Sequence, residues 1–280
     1  LVTYGIGADD LARMARRGTR IFKIKLGQPG TQEEMLRKDT ERLTAIHEAV
    51  GAGARPTAGS AGVRAPDADS TGGRGPADSP GAGARGPAHS PGAPDAPGSG
   101  GPPLYYLDAN GRYESKDTLE RLLDHLDRIG ALCRVILLEE PFPAGNDIDV
   151  SDLPVTVAGD ESVEGPEDIR RLADLGYRAF AVKPAGKTLS ASLEAARASQ
   201  KRGLPCFVAD SACVPLLVEW NKNVAARLGP LPGLDYGILE SNGADHYRNW
   251  DAMLEAHPCA GASWIEPADG FYTLDSSFYD

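Results

Sequence analysis

Short apolar runs recur along this chain, and nearly every one ends in a charged side chain. The runs are Ile21–Lys25, Leu104–Leu107, Val135–Leu138, Val155–Ala158, Ala179–Val182, Cys206–Ala209 and Tyr236–Leu239, with Val2-Thr3-Tyr4 as a short first member. They are rich in β-branched and aromatic residues and suit buried parallel strands. Amphipathic stretches lie between them. Thr31 and Glu34 form a capping-box signature ahead of Met35, Leu43, Ile46 and Val50. Leu119, Leu122, Leu123, Leu126 and Ile129 share one helical face. Pro166 suits a first helical position, Ile169 and Leu172 continue its face, and Gly176 suits the stop. Strand–helix alternation repeated about eight times predicts an α/β fold, a closed (β/α)8 TIM-type barrel. The alternative is a doubly wound open sheet, whose Gly-rich phosphate loop YGIGADD matches poorly.

One segment stands outside this alternation. Residues 51–103 hold 14 of the 33 glycines and 10 of the 22 prolines, and Val63 is their only large aliphatic side chain. Such a composition buries too little apolar area to offset its ordering entropy, so the segment is expected to be a disordered Gly/Ala/Pro-rich insert. The barrel domain is then 1–50 together with 104–280. The insert follows a helix and precedes a strand, which in a barrel puts it at the N-terminal face, away from the chemistry.

The whole-chain properties exclude some functions. A net charge of −11 argues against nucleic acid or an anionic membrane surface as a partner. No apolar run approaches the roughly 18–20 residues that span a bilayer, and no signal peptide is visible at the start. Cys133, Cys206, Cys213 and Cys259 are scattered without a C-x-x-C pair, which suits reduced thiols in the cytoplasm. The chain begins at Leu1, close to its first apolar run, and is expected to be a fragment of a longer gene product.

The residues that end the runs carry the functional argument. Lys23 and Lys25 lie on one run, and Asp108 ends the next. Glu139-Glu140-Pro141, Asp160-Glu161-Ser162, Lys183-Pro184, Asp210 and Glu240 end the runs that follow. Singly these are bland: an Asp before Asn110-Gly111 is more often a turn, and Asp-Glu-Ser caps helices. Jointly, three acids on three successive strands would repel one another at one barrel mouth unless a cation sat among them. Oxygen-only ligands select a hard ion such as Mg²⁺, with Mn²⁺ as a substitute.

The order Lys23-x-Lys25, Asp108-Ala109-Asn110, Glu139-Glu140-Pro141, Asp160-Glu161-Ser162, Val182-Lys183-Pro184 resembles the enolase superfamily. Within it the chain is similar to the muconate-lactonizing-enzyme subgroup, across its whole length outside the insert. The separations agree, with 21 residues from Glu139 to Asp160 and 23 from Asp160 to Lys183. The resemblance implies that Asp108, Glu139 and Asp160 ligate Mg²⁺. It implies that Lys25 and Lys183 are acid/base groups on opposite faces of a small carboxylate substrate, with Lys23 supporting Lys25. Asn110, Asp210 and Glu240 complete the site as supporting residues, and His246 and Trp250 are candidates to line its mouth.

The implied activity is an isomerase, a racemase, epimerase or cycloisomerase that removes a proton α to a carboxylate and stabilises the enediolate. A lysine base must be neutral, whereas an unperturbed lysine near 10.4 is about 99.9% protonated at pH 7. Bringing its pKa to neutrality costs about 4 kcal/mol, which Lys23, the metal and burial are expected to supply. A lyase of the o-succinylbenzoate synthase kind is an alternative, and a non-catalytic metal-binding barrel is another. Glu240-Ser241-Asn242 replaces the Asp-x-Asp with which dipeptide epimerases hold a substrate ammonium group, and no histidine accompanies Asp210. The resemblance also implies an N-terminal α+β cap, and this chain starts at the barrel. Substrate identity and homo-oligomerisation stay open.

Overall fold

The apolar runs pair as parallel strands because each strand has two faces with different partners. The computed structural model describes residues 6–16, 19–53, 102–210, 212–268 and 270–279. Six strands lie in chain order: β1 (Ile21–Lys25), β2 (Leu104–Asp108), β3 (Val135–Glu139), β4 (Val157–Gly159), β5 (Ala179–Val182) and β6 (Cys206–Val208). Every neighbouring pair is parallel. The principal helices are α1 (Ala8–Arg16), α2 (Gln32–Gly53), α3 (Lys116–Arg128), α4 (Pro166–Asp174), α5 (Leu189–Lys201) and α6 (Pro215–Ala225). Two short ones, α7 (Gly243–His246) and α8 (Trp250–Glu255), follow. None of these is long and apolar enough to cross a membrane.

Period-two alternation divides the strand side chains between two cores. On one face Phe22, Ile24, Tyr105, Leu107, Leu138, Val157, Phe180, Val182 and Val208 pack against the helices. Leu119, Leu122, Leu123 and Leu126 of α3 supply part of that layer. Burying each such side chain contributes about 1.5–3 kcal/mol. On the other face Tyr106, Leu137, Ala158, Ala179, Ala181, Phe207 and Ala209 form a second cluster with Leu231. The sheet curls around this second cluster. Tyr106 of β2 meets Phe207 of β6 edge to face at 5.6 Å, and Lys23 of β1 reaches Glu240 beyond β6 at 2.8 Å.

The local signals at the helix ends hold. Thr31 N–H donates to Glu34 Oε2 at 2.9 Å and Glu34 N–H to Thr31 Oγ1 at 3.3 Å, which closes the capping box of α2. Pro166 opens α4, and Gly176 follows it at φ 97° with its α-carbon against Ser151, where no side chain fits.

Three expectations change. The run Tyr236–Leu239 forms no strand and contributes one parallel bridge, Leu239 to Val208. Gly229-Pro230 and Pro232-Gly233 break the approach to it, and Gly237 is pressed against the Ala225 carbonyl, so only residues 238–240 extend along β6. The sheet is therefore a curled six-stranded part of a barrel, and the described residues do not close an eight-stranded one. The connection 140–156 between β3 and β4 has no helix. α2 continues through 51–53, which composition had placed in the insert. The remainder of that insert, 54–101, and Val2-Thr3-Tyr4 lie outside the described residues.

A buried carboxylate on α2 fixes the loop that leaves β1. Asp39, fully buried, accepts from Gly27 N–H at 2.8 Å and from Tyr113 O–H at 2.9 Å. Gly27 lies at φ 81° directly under Arg112, which excludes any side chain there. Burial raises the Asp39 carboxyl, against the pull of those hydrogen bonds. Asp39→Ala is expected to cost about 3 kcal/mol in chemical denaturation, because two buried donors lose their acceptor. With the folded-state pKa raised, the native chain holds that proton more tightly than the unfolded one. The stability of the parent relative to Asp39→Asn should therefore fall as pH rises above about 3.8.

Candidate active site

The C-terminal ends of consecutive strands bring the predicted residues together, because the inward positions stay in phase from strand to strand. Lys25 pairs with Asp108 in register, Asp108 with Glu139, and Glu139 with Ala158, two residues before Asp160. Lys183 follows the last residue of β5. The resulting cluster is buried: Asp108, Glu139 and Asp160 are each at most 3% exposed.

Lys23 sits at the centre. Its Nζ lies 2.7 Å from Glu139 Oε2, 2.8 Å from Glu240 Oε2 and 3.0 Å from Asp108 Oδ2, above the Tyr106 ring at 4.6 Å. Burial works to deprotonate it, and Glu139, Asp108 and Glu240 outweigh burial, so its pKa is raised. Lys25 contacts Asp108 Oδ2 and donates to Asn110 Oδ1 at 3.0 Å. Lys183 Nζ lies 2.6 Å from Asp160 Oδ2. The side chains of Lys183 and Lys25 are 17% and 26% exposed, against 8% for Lys23, so two of the three ammonium groups can be reached from solvent.

Asp108 divides its oxygens. Oδ1 accepts from Asn110 N–H at 3.1 Å and shapes the turn, while Oδ2 faces the two lysines. The turn reading of this residue holds, and its second oxygen at the same time pairs with lysines. Asn110, at φ 45°, also donates to Glu161 Oε1 at 3.0 Å and so ties the end of β2 to the loop after β4. Burial pushes the Asp108 carboxyl up, and Lys23 and Lys25 pull it further down, leaving it below the usual range. Burial drives the Glu139 carboxyl well above its range; Lys23 opposes this, while Asp108 and Asp160 add to it.

The sequence predicts lysines whose pKa falls toward neutrality. The structure shows the opposite for Lys183: burial pushes its ammonium down, but Asp160, Glu161 and Glu139 raise it overall. Three acids, Asp160, Glu161 and Glu139, act on it together.

Asp210 braces a loop. Its oxygens accept from the backbone N–H groups of Cys213 at 3.0 Å and Asn242 at 2.8 Å, which braces the loop beyond β6. Glu240 faces the cluster through Lys23, and Asn242 Nδ2 donates to it at 3.2 Å. His246 is exposed on α7, and Trp250 packs on Gly243.

Sequence reasoning missed the function of Glu140. This residue sits at φ 39°, is 1% exposed and turns away from the lysines. It accepts from Asp160 N–H at 2.6 Å, from Ser162 N–H at 3.2 Å and from the Ser162 hydroxyl. It thereby grips the turn that presents Asp160. The signal was available: of two adjacent acids at a strand end, alternation allows only one to point inward.

Among the described residues, no trio of acidic, histidine or cysteine side chains is arranged to hold a metal as it stands. The donor chemistry nevertheless fits a hard cation. Neither oxygen of Glu139, nor Asp160 Oδ1, has a hydrogen-bond partner of good geometry, although all are buried. Unpartnered buried carboxylate oxygens are costly and call for positive charge. Lys23 supplies that charge from a position between Asp108 and Glu139.

No family model matches the chain, and no curated protein matches it in sequence. Solved structures do match. One described as a mandelate racemase/muconate lactonizing enzyme from Sorangium cellulosum aligns with a TM-score of 0.56 at 21% identity, over 86% of this chain and 54% of that one. The N-succinyl Arg/Lys racemase of Bacillus cereus gives 0.56 at 15% identity, over 86% and 50%. A dipeptide epimerase of Cytophaga hutchinsonii, complexed with Mg and a dipeptide, gives 0.51 at 18% identity, over 78% and 45%. The fold is that of the mandelate racemase/muconate lactonizing enzymes. This chain spans about half the length of the solved structures it matches. In this fold the carboxylates and lysines described above lie on successive strands, at the ends where barrel enzymes place their chemistry.

Glu140→Ala should lower stability by about 3 kcal/mol, since it unpairs the donors of Asp160 and Ser162 together. Glu140→Gln, which keeps one acceptor oxygen, should lose about half as much. Paired urea melts measure both.

Proposed function

We propose that this chain forms the barrel of a Mg²⁺-dependent isomerase that moves a proton α to a substrate carboxylate. One observation carries the reading: Lys25 and Lys183, reachable from solvent, pair with the two outer members of a buried acid trio whose central member, Glu139, has neither oxygen in a hydrogen bond of good geometry and is met by the Lys23 ammonium. Asp108, Glu139 and Asp160 would hold the cation. Mg²⁺, when bound, supplies positive charge against the negative charge that grows on the substrate carboxylate as its α-proton leaves.

The chain's own residues do the proton work. One lysine, neutral, takes the proton from the α-carbon and becomes an ammonium; the opposite ammonium returns a proton to the other face. That exchange inverts the centre and leaves the total proton count unchanged. Asp160 holds Lys183 protonated in the chain as described. Once the charge of Asp160 is directed elsewhere, burial dominates and favours the neutral amine. Asn110 holds Lys25 by its Nζ, and Tyr106 and Phe207 close the interior against water from below. The dipeptide type of substrate is disfavoured, because Glu240 is engaged by Lys23 and Asn242 instead of facing a substrate ammonium group. Loss of water in place of inversion is the second outcome this residue set supports.

The test is solvent-deuterium incorporation by the full chain with Mg²⁺, measured by mass spectrometry across N-acyl amino acids, dipeptides and hydroxy acids. Exchange at the α-carbon of at least one acid is expected. Lys183→Ala should reduce it by about 10²–10⁴-fold, and chelation of the metal should abolish it. Mg²⁺ binding without exchange across the panel would contradict the isomerase reading.

A further inference from the structure

We infer that Lys23 is a resident counter-ion of the carboxylate cluster, and that Glu240 is the berth to which it withdraws when a divalent cation enters. This rests on the cation-dependent reading of the site given above.

Three acids drawn together and buried cannot all ionise in a stable fold without compensating charge. In the chain as described Lys25 and Lys183 neutralise from the flanks, and the central charge is the Lys23 ammonium, within 3.0 Å of one oxygen each of Asp108, Glu139 and Glu240. It stands in for a metal, and it also stands in the way of one. A divalent cation shared by Asp108 and Glu139 would meet this ammonium at about 3–4 Å, where like charges repel strongly in a poorly solvated interior. One of the two must yield.

The flanking lysines have an exit that Lys23 lacks. Lys25 and Lys183 are 26% and 17% exposed and can swing toward solvent. Lys23 is held over the Tyr106 ring, 8% exposed, beneath the acids. Its remaining acidic partner is Glu240, which follows the single bridge Leu239–Val208 beyond β6. Glu240 is held in place for this purpose: its N–H donates to Val208 O at 2.9 Å, and Oε1 accepts from Asn242 Nδ2 at 3.2 Å. Asp210 N–H approaches Oε2 at 3.4 Å, so Lys23 is its principal partner there. A short lateral shift of one ammonium, from three acids to one, would clear Asp108 and Glu139.

The experiment titrates the full chain with Mn²⁺, read by the paramagnetic signal of the free ion, alongside thermal melts in a chelator. Four forms are compared: the parent, Lys23→Met, Glu240→Gln and the double variant. Lys23→Met should melt lower than the parent in chelator yet bind Mn²⁺ at least about tenfold more tightly, since the competing charge is gone. Glu240→Gln should bind about tenfold more weakly, because Lys23 has nowhere to withdraw. In the Lys23→Met background the same Glu240 change should alter affinity by less than about threefold, which separates a berth from a general loss of negative field. If the parent binds Mn²⁺ and Lys23→Met binds no more tightly, the inference is overturned while the isomerase reading stands. If Lys23→Met does not fold, a Glu240→Gln affinity equal to the parent's overturns it instead. If no form binds Mn²⁺, the cation-dependent reading and this inference fall together.

Discussion

The ion pairs of Lys23 hold together what the strands alone would push apart. Asp108 and Glu139 are placed by the register of a parallel sheet, and Asp160 and Glu240 by the segments beyond β4 and β6, none of which has any regard for charge. Four carboxylates, Asp108, Glu139, Asp160 and Glu240, therefore converge on a space with little water. Lys23 meets three of them and Lys183 the fourth. A buried ion pair of this kind is a poor source of net stability, and removing one partner costs far more than forming the pair gains.

The tripeptides at the strand ends share one construction. In Asp108-Ala109-Asn110 the acid faces the lysines and the amide ties the turn to the loop after β4. In Glu139-Glu140-Pro141 the first acid faces inward and the second clamps the Asp160 turn, while the Pro141 carbonyl receives Tyr113 N–H at 3.1 Å. In both, one residue pairs with lysine and a second braces the loop that carries Asp160. Spacing between chemical groups is thus set by loops that brace each other, and the site depends less on any single strand.

Much of this was legible in the sequence because alternation and burial act locally. The inward lysines and acids, the α3 face and the caps of α2 and α4 all follow from periods of 2 and 3.6 and from side-chain chemistry at termini. What failed was non-local or conformational. Tyr236–Leu239 has strand composition, but its pairing depended on the path imposed by two Pro/Gly pairs and on the close approach of Gly237 to α6. The left-handed backbone of Glu140 has no compositional mark, since that region usually selects Gly or Asn. The direction of the Lys183 shift depends on how many acids surround it in space, which spacing along the chain does not count.

The contact between Tyr106 and Phe207 sets a direction for the whole site. One ring from β2 and one from β6 meet in the layer under Lys23, which alanines at 158, 179 and 181 share. The charged cluster therefore has a low-polarity layer on one side. Field lines from its charges spread toward the strand C-termini, where the dielectric is higher, and an approaching anion senses the ammonium groups from that side alone.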